Sequence, residues 1–391
     1  MDEVALPTTK KSTLFILYIV GLIFAFTTAL PAYVNSSFLK SLTSEQAVGV
    51  FYIIGSVISL TALIIIPKIL KRFGNYKVTL TVAVLFFLNF LSLAFNPNDY
   101  LVLLSFVLSG SMTTIIYFNL DIFVEHNSLD IKTGRIRSIY LTCINIAWLV
   151  SPWLAGMIVD GSYFRNVYFV VALIMIPIII IVSSVLKDFK DPEYKCINVI
   201  ETIKGLKDNG SIKNIWFSAI LLQIFFAWMV IYSPIYLNTY IGFDWATIGI
   251  IFSIALIPFV LFQIPSGHIA DKFLGEKELL TAGFILMGIF TAIIPIIKSD
   301  NFMIWAIVLL MTRVGAAIVE VMNDTHFFKN VSDQNLNLIN LYRTSAPLAY
   351  IISPLIVGTL MFFMPIGSTF FILGLLMLLG LRFSLSIKDS K

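Results

Sequence analysis

Charge is scarce in this sequence: Asp, Glu, Lys and Arg together make up 12% of its 391 residues, about half the share of a soluble domain. Length alone suggests several domains, but this chain has too little charge to coat them with a water-facing surface. A soluble enzyme and a nucleic-acid binder are disfavoured on the same ground. Cysteine is nearly absent. Cys143 lies in an apolar stretch and Cys196 in the most polar one, so neither a disulfide framework nor a metal site is indicated. Histidine is as rare, and His126, His268 and His326 share no ligand spacing. No Gly-x-x-x-x-Gly-Lys-Ser/Thr loop occurs, so ATP-driven pumping would need a partner. Neither a filter nor the charged ring of a channel is visible. No cofactor is expected. A cleavable signal is not expected either, because Met1–Ser12 is short and mixed in charge and the apolar run after it is too long.

Apolar residues are abundant. Hydrophobic residues reach 59%, including 34 Phe, and the mean hydropathy is +0.94. A bilayer core needs about 20 apolar residues per helix. Twelve such runs are predicted, at 13–34, 47–67, 77–96, 100–124, 136–159, 165–186, 214–240, 246–269, 279–298, 301–323, 336–361 and 366–386. Backbone polar groups in hydrocarbon must be satisfied within the segment, so the runs are expected as helices. Of the 26 basic residues, 21 fall on the side of the two termini and three (Lys40, Arg165, Lys298) on the other, while Arg313 and Arg343 lie inside spans. That asymmetry predicts cytoplasmic termini. The long polar stretch divides the chain into an expected six-helix bundle at 1–186, a cytoplasmic linker at 187–212 and a second bundle at 213–391.

The halves repeat. Tyr140 and Ser151-Pro152-Trp153-Leu154-Ala155-Gly156 are matched 202 residues later by Tyr342 and Ser353-Pro354-Leu355-Ile356-Val357-Gly358. Asn119-Leu120-Asp121 corresponds to Asn323-Asp324 at a shift of about 203, and the loops around Lys71 and Asp271 correspond at about 200. Two halves in the same topology are the arrangement of one large transporter class. Within that frame, Gly267-His268-Ile269-Ala270-Asp271-Lys272-Phe273-Leu274-Gly275-Glu276-Lys277 resembles the loop signature of the major facilitator superfamily, and it falls between spans eight and nine. The first-half copy departs from the pattern. It has Pro67 where the first Gly is expected and Lys71 where the Asp is expected, so the lock that this carboxylate makes in the family should be absent or altered there.

The resemblance implies an all-α membrane protein of twelve helices in two pseudo-symmetric bundles. It also implies a non-enzymatic secondary transporter that moves a small organic solute by alternating access. Proton coupling and export of drugs or metabolites are the leading expectation. The Arg313-Val314-Gly315-Ala316-Ala317 segment resembles a signature of proton-coupled exporters, although here it stands in span ten. Proton-coupled uptake of sugars or other polar nutrients, and a non-transporting sensor or scaffold, remain open. The expected partners are a small-molecule substrate, the lipid bilayer and H+, with no nucleic acid. A monomer in a prokaryotic cytoplasmic (inner) membrane is the expected setting.

Ionisable residues inside spans are functional candidates. Arg313 and Glu320, seven residues apart in span ten, are predicted as a coupling pair about 10 Å apart along one helix face. They are suited to holding an anionic substrate, to switching a carboxylate's proton affinity or to structural glue. Asp121, Glu125 and Asp324, with Arg135, Arg137 and Arg343, are the candidate cytoplasmic gate. Gly267, Asp271 and Lys272 belong to it through the loop signature, with the Asp271 carboxylate expected at the N-terminus of span five. Asn145 and Trp148 in span five, and Gln223, Trp228, Tyr232 and Tyr236 in span seven, are the candidate substrate pathway. Their amides can hydrogen-bond a polar solute and their rings can stack on an apolar one.

Overall fold

The computed structural model describes residues 8–127, 133–161, 163–192, 194, 210–262, 275–330 and 336–387. The described residues form helices joined by short turns, with no β-strand among them. In chain order the helices are α1 (Thr8–Ala32), α2 (Asn35–Leu42), α3 (Glu45–Phe73), α4 (Asn75–Phe95), α5 (Asp99–Asn127), α6 (Thr133–Ile158) and α7 (Arg165–Val185). They continue as α8 (Gly210–Ile235), α9 (Trp245–Leu261), α10 (Glu276–Ile293), α11 (Phe302–Asn330), α12 (Leu336–Arg343), α13 (Ser345–Leu360), α14 (Ile366–Leu378) and α15 (Gly380–Ser384). Every one of the twelve predicted runs meets a helix. Ten helical segments are long and apolar enough to cross a bilayer, and α9 is a shorter apolar helix. Large aliphatic side chains such as Ile64, Leu104, Ile180, Ile307 and Leu355 point outward from these helices. Such surface is at home in hydrocarbon and costly in water.

The eleventh run is broken, and proline explains the break. α12 stops at Arg343 and α13 starts at Ser345, with Pro347 in its first turn. Proline has no N–H for the carbonyl four residues back, so it suits a helix start and not an interior. The seventh run continues past Pro234 as one π-helical stretch, Tyr236–Ile241, which ends on Gly242 at φ +89°.

The chain separates into two compact units. The first comprises Met1–Ala32 and Ile58–Cys196, the second Tyr33–Val57 and Ile197–Lys391. In the first, α1 packs on α6 and α7, and α4 packs on α5 and α7. A buried polar knot fastens α4 to α5: Asn75 Nδ2 donates to the Asn119 carbonyl (3.1 Å), and Asn119 Nδ2 donates to Thr79 Oγ1 (3.0 Å). An apolar groove of about 310 Å3 also lies in this unit, lined by Ile58, Ile65, Ile69 and Ile115 among others. None of the predicted site residues lines it.

In the second unit α10 packs on α11 and α14, α9 on α11, and α8 on α13. Two glycines set the α10–α11 crossing. A Cβ on Gly315 would lie 2.6 Å from the Gly283 carbonyl oxygen and 2.8 Å from the Met287 amide nitrogen. Small residues let two backbones approach this closely, which is how helices in lipid gain packing energy.

In the first-half loop another carboxylate stands in for the missing aspartate. Where the signature carboxylate is replaced by Lys71, Asp191 from beyond α7 occupies the start of α4. Its Oδ1 accepts from the Asn75 amide (2.7 Å), and the Tyr194 hydroxyl donates to the same oxygen. A carboxylate there satisfies an orphan N–H and meets the positive end of the helix dipole. Burial and then the carboxylate push the Tyr194 hydroxyl pKa upward. Gly74, at φ +80°, leaves the space: a Cβ there would sit 2.6 Å from Asp191 Oδ2. Asp191→Ala is therefore expected to cost about 1 kcal/mol, in line with other lost caps, read as a lower melting temperature in detergent. Asp191→Asn should recover part of that loss.

Candidate transport site

Helix α11 carries Arg313 near the middle of its apolar stretch, Phe302–Phe327. The Gly315–Gly283 contact lies two residues beyond it and fixes its height against α10. The neighbouring helix α8 is in steady antiparallel register with α11. Tyr236 meets Trp305, Phe225 meets Arg313, Ser218 meets Asn323 and Ser211 meets His326, pairs whose numbers add to between 537 and 541. By that register Trp228, one turn beyond Phe225, stands at the level of Arg313, and Glu320 stands near Ile220.

Arg313 is only 1% exposed. Its guanidinium carbon lies 4.9 Å from the centre of the Phe225 ring, and the Tyr33 hydroxyl acts on it electrostatically. Tyr350 of α13 contributes a second phenol to its surroundings. Tyr33 is held in place by stacking on Phe252 of α9, ring centres 4.3 Å apart at 20°. Among the described residues, Nη1 of Arg313 has no hydrogen-bond partner, and neither does the fully buried Nε1 of Trp228. A cation–π contact in a dry site is worth about 2 kcal/mol, whereas an arginine at the centre of a membrane helix costs about 2.5–3.5 kcal/mol. The aromatic neighbours thus offset much of the cost of the charge without neutralising it.

Glu320 is half-buried on the same helix. Among the described residues no ion pair joins it to Arg313. The charge acting on Glu320 is Asp324, one turn further on, and Asp324 accepts a 2.7 Å hydrogen bond from Tyr342. Arg313 and Glu320 therefore sit in separate surroundings: one among aromatic rings, the other beside a second carboxylate.

The other predicted residues divide between the units. Trp228 and Tyr232 are fully buried on α8, and Tyr236 opens the π-helical stretch against Trp305 and Phe370. Gln223 is half-buried on α8, and Asn145 and Trp148 are half-buried on α6 of the first unit. Asp121 is half-buried on α5, Asp324 is exposed near the end of α11, and Arg343 closes α12. Glu125 lies on α5, and Arg135 and Arg137 on α6, but their side chains are outside the described set. Gly267, Asp271 and Lys272, and with them the expected Asp271 cap, lie outside the described residues.

Two clusters were not expected from sequence. In the second unit, Lys40 at the end of α2 pairs with Glu45 at the start of α3 (2.6 Å) and donates to Thr239 (3.0 Å). Tyr240 donates to Glu45 Oε1 (3.1 Å), and its ring lies under the Lys40 ammonium at 5.7 Å. The one sequence signal was Lys40 itself, a basic residue on the face that has only three. The second cluster is His326, which bridges Ser211 Oγ (2.8 Å at Nε2) and Glu276 Oε2 (3.0 Å at Nδ1) and so ties α8, α10 and α11 together. Glu276, read only as part of the loop signature, is 5% exposed in this bridge.

Ten helices long enough to cross a bilayer, one of them holding an arginine with no ion pair among the described residues, suit a protein that works within a membrane. The model of the Major Facilitator Superfamily matches residues 14–322 and again 215–390. The two matches begin 201 residues apart, close to the spacing of the internal repeat. The chain belongs to the major facilitator superfamily and is a multi-pass integral membrane protein, a secondary transporter with the twelve-helix fold of that family. No curated protein matches it significantly.

Proposed function

We propose that the chain is a proton-coupled secondary transporter that moves a small organic solute by alternating access, with export of drugs or metabolites as the favoured direction. The observation that carries this reading is the placement of two ionisable groups, Arg313 and Glu320, in one apolar span without an ion pair between them. An arginine that keeps an unused N–H is available to a substrate, and a carboxylate in a span with no ion pair among the described residues is suited to carry a proton. The halves at 1–186 and 213–391 are the proposed moving bodies, joined by the linker at 187–212. A monomer in a prokaryotic cytoplasmic membrane is the proposed setting. The Lys40–Glu45–Thr239–Tyr240 cluster is the proposed latch on the side opposite the termini, and Asp121, Glu125, Arg135, Arg137, Gly267, Asp271, Lys272, Asp324 and Arg343 the proposed cytoplasmic gate.

The test replaces Glu320 by Gln in proteoliposomes. Gradient-driven accumulation is expected to fall at least tenfold and to lose its pH dependence. Counterflow exchange, which needs no net proton movement, should persist. Unchanged pH-driven accumulation in Glu320→Gln would remove the proton from this residue. A chain that showed no substrate-dependent flux at all would be a sensor or scaffold on a transporter fold.

A further inference from the structure

The surroundings of Arg313 say more about the substrate than its charge alone. Three kinds of group converge at one level of the second unit. The first is a guanidinium with one nitrogen, Nη1, unpartnered. The second is a pair of phenols, Tyr33 and Tyr350, from opposite ends of the sequence. The third is the flat face of Phe225 at 4.9 Å, with Trp228, its own Nε1–H unpartnered, one turn away. All are donors or π-faces, and among the described residues no carboxylate forms an ion pair with Arg313. A buried donor without an acceptor costs free energy, and a guanidinium presents a planar fork that fits a carboxylate. One cation balances one negative charge, so a dianion would carry an unpaired charge into the bilayer. Aromatic faces on two successive turns of α8 suit an apolar or conjugated body behind the charged group.

We propose that Arg313, Phe225, Trp228, Tyr33 and Tyr350 form the recognition site for an organic monocarboxylate with an aromatic or apolar body. The guanidinium, the Trp228 N–H and the two phenols hold the carboxylate, and the rings hold the body. The site is shut in this conformation, as the 1% exposure of Arg313 shows, and opens as the transporter cycles. The proposal rests on the transport reading for its biological sense, but binding can be measured without transport.

The test uses the purified full chain in detergent with no gradient. Melting temperature and tryptophan fluorescence are followed during titration with benzoate, cyclohexanecarboxylate and indole-3-acetate, each set against its neutral amide. Wild type is expected to show saturable stabilisation by at least one carboxylate and none by its amide. Arg313→Lys, which keeps the charge but loses the fork, should weaken that affinity about tenfold, and Arg313→Gln should abolish it. Trp228→Phe should weaken it and remove most of the fluorescence change. The proposal is overturned if no carboxylate outperforms its amide on wild type, a comparison that needs no variant, or if both Arg313 variants bind as wild type does. Carboxylate binding through Arg313 without flux in proteoliposomes would sink the transport reading and leave the site standing. Flux of neutral or cationic solutes without carboxylate binding would do the reverse.

Discussion

Arg313→Gln is expected to cut substrate flux about a hundredfold while leaving the melting temperature of the protein unchanged or higher. The two effects have different origins. A charge-assisted hydrogen bond to substrate is worth up to about 3 kcal/mol, and each 1.4 kcal/mol is a factor of about ten in an equilibrium constant. Stability responds to a different balance. Removing a buried charge that has no ionic partner among the described residues relieves a desolvation cost. Structural glue predicts the opposite pattern, with a marked loss of stability and flux falling only as far as folded protein does. Flux in reconstituted vesicles, normalised to monodisperse protein, separates the two.

Gly315→Val should severely damage folding of the second unit. The added Cβ would meet the Gly283 carbonyl at 2.6 Å and the Met287 amide nitrogen at 2.8 Å. Both are backbone atoms and cannot rotate aside, so α10 and α11 must separate. Overpacking of this kind costs about 1–3 kcal/mol before the displacement of Arg313 is considered. The expected result is a loss of most monodisperse protein after detergent extraction. Gly358→Ala is the control. No atom lies within 4 Å of the new methyl, and alanine is the better helix former by about 1 kcal/mol, so stability should hold or rise.

Local pattern determined most of the fold. Each of the twelve apolar runs meets a helix, because lipid obliges the backbone to satisfy itself within the segment. The departures are also local: Pro347 ends α12 early, and Pro234 precedes the π-helical stretch. The short helix α2 was missed because Asn35–Leu42 is neither long nor evenly apolar. The candidate site was legible only in part. Arg313 and Glu320 stood out because charge in a span is expensive. Their surroundings did not, since Phe225, Tyr33 and Tyr350 come from three other parts of the chain and carry no spacing that a sequence can show. For the same reason the departure of Lys71 from the loop signature was visible and its replacement by Asp191 was not, because that hydrogen bond spans 116 residues.

Coupling of an organic solute to protons through one charged span has a direct experimental signature. The measurement that tests it most directly is solute accumulation in proteoliposomes under an imposed pH gradient, with a solute panel that includes the monocarboxylates. Accumulation is expected to follow the gradient, to collapse with a protonophore and to be lost in Glu320→Gln. Flux that ignores both gradient and protonophore, in wild type and variant alike, would contradict that coupling.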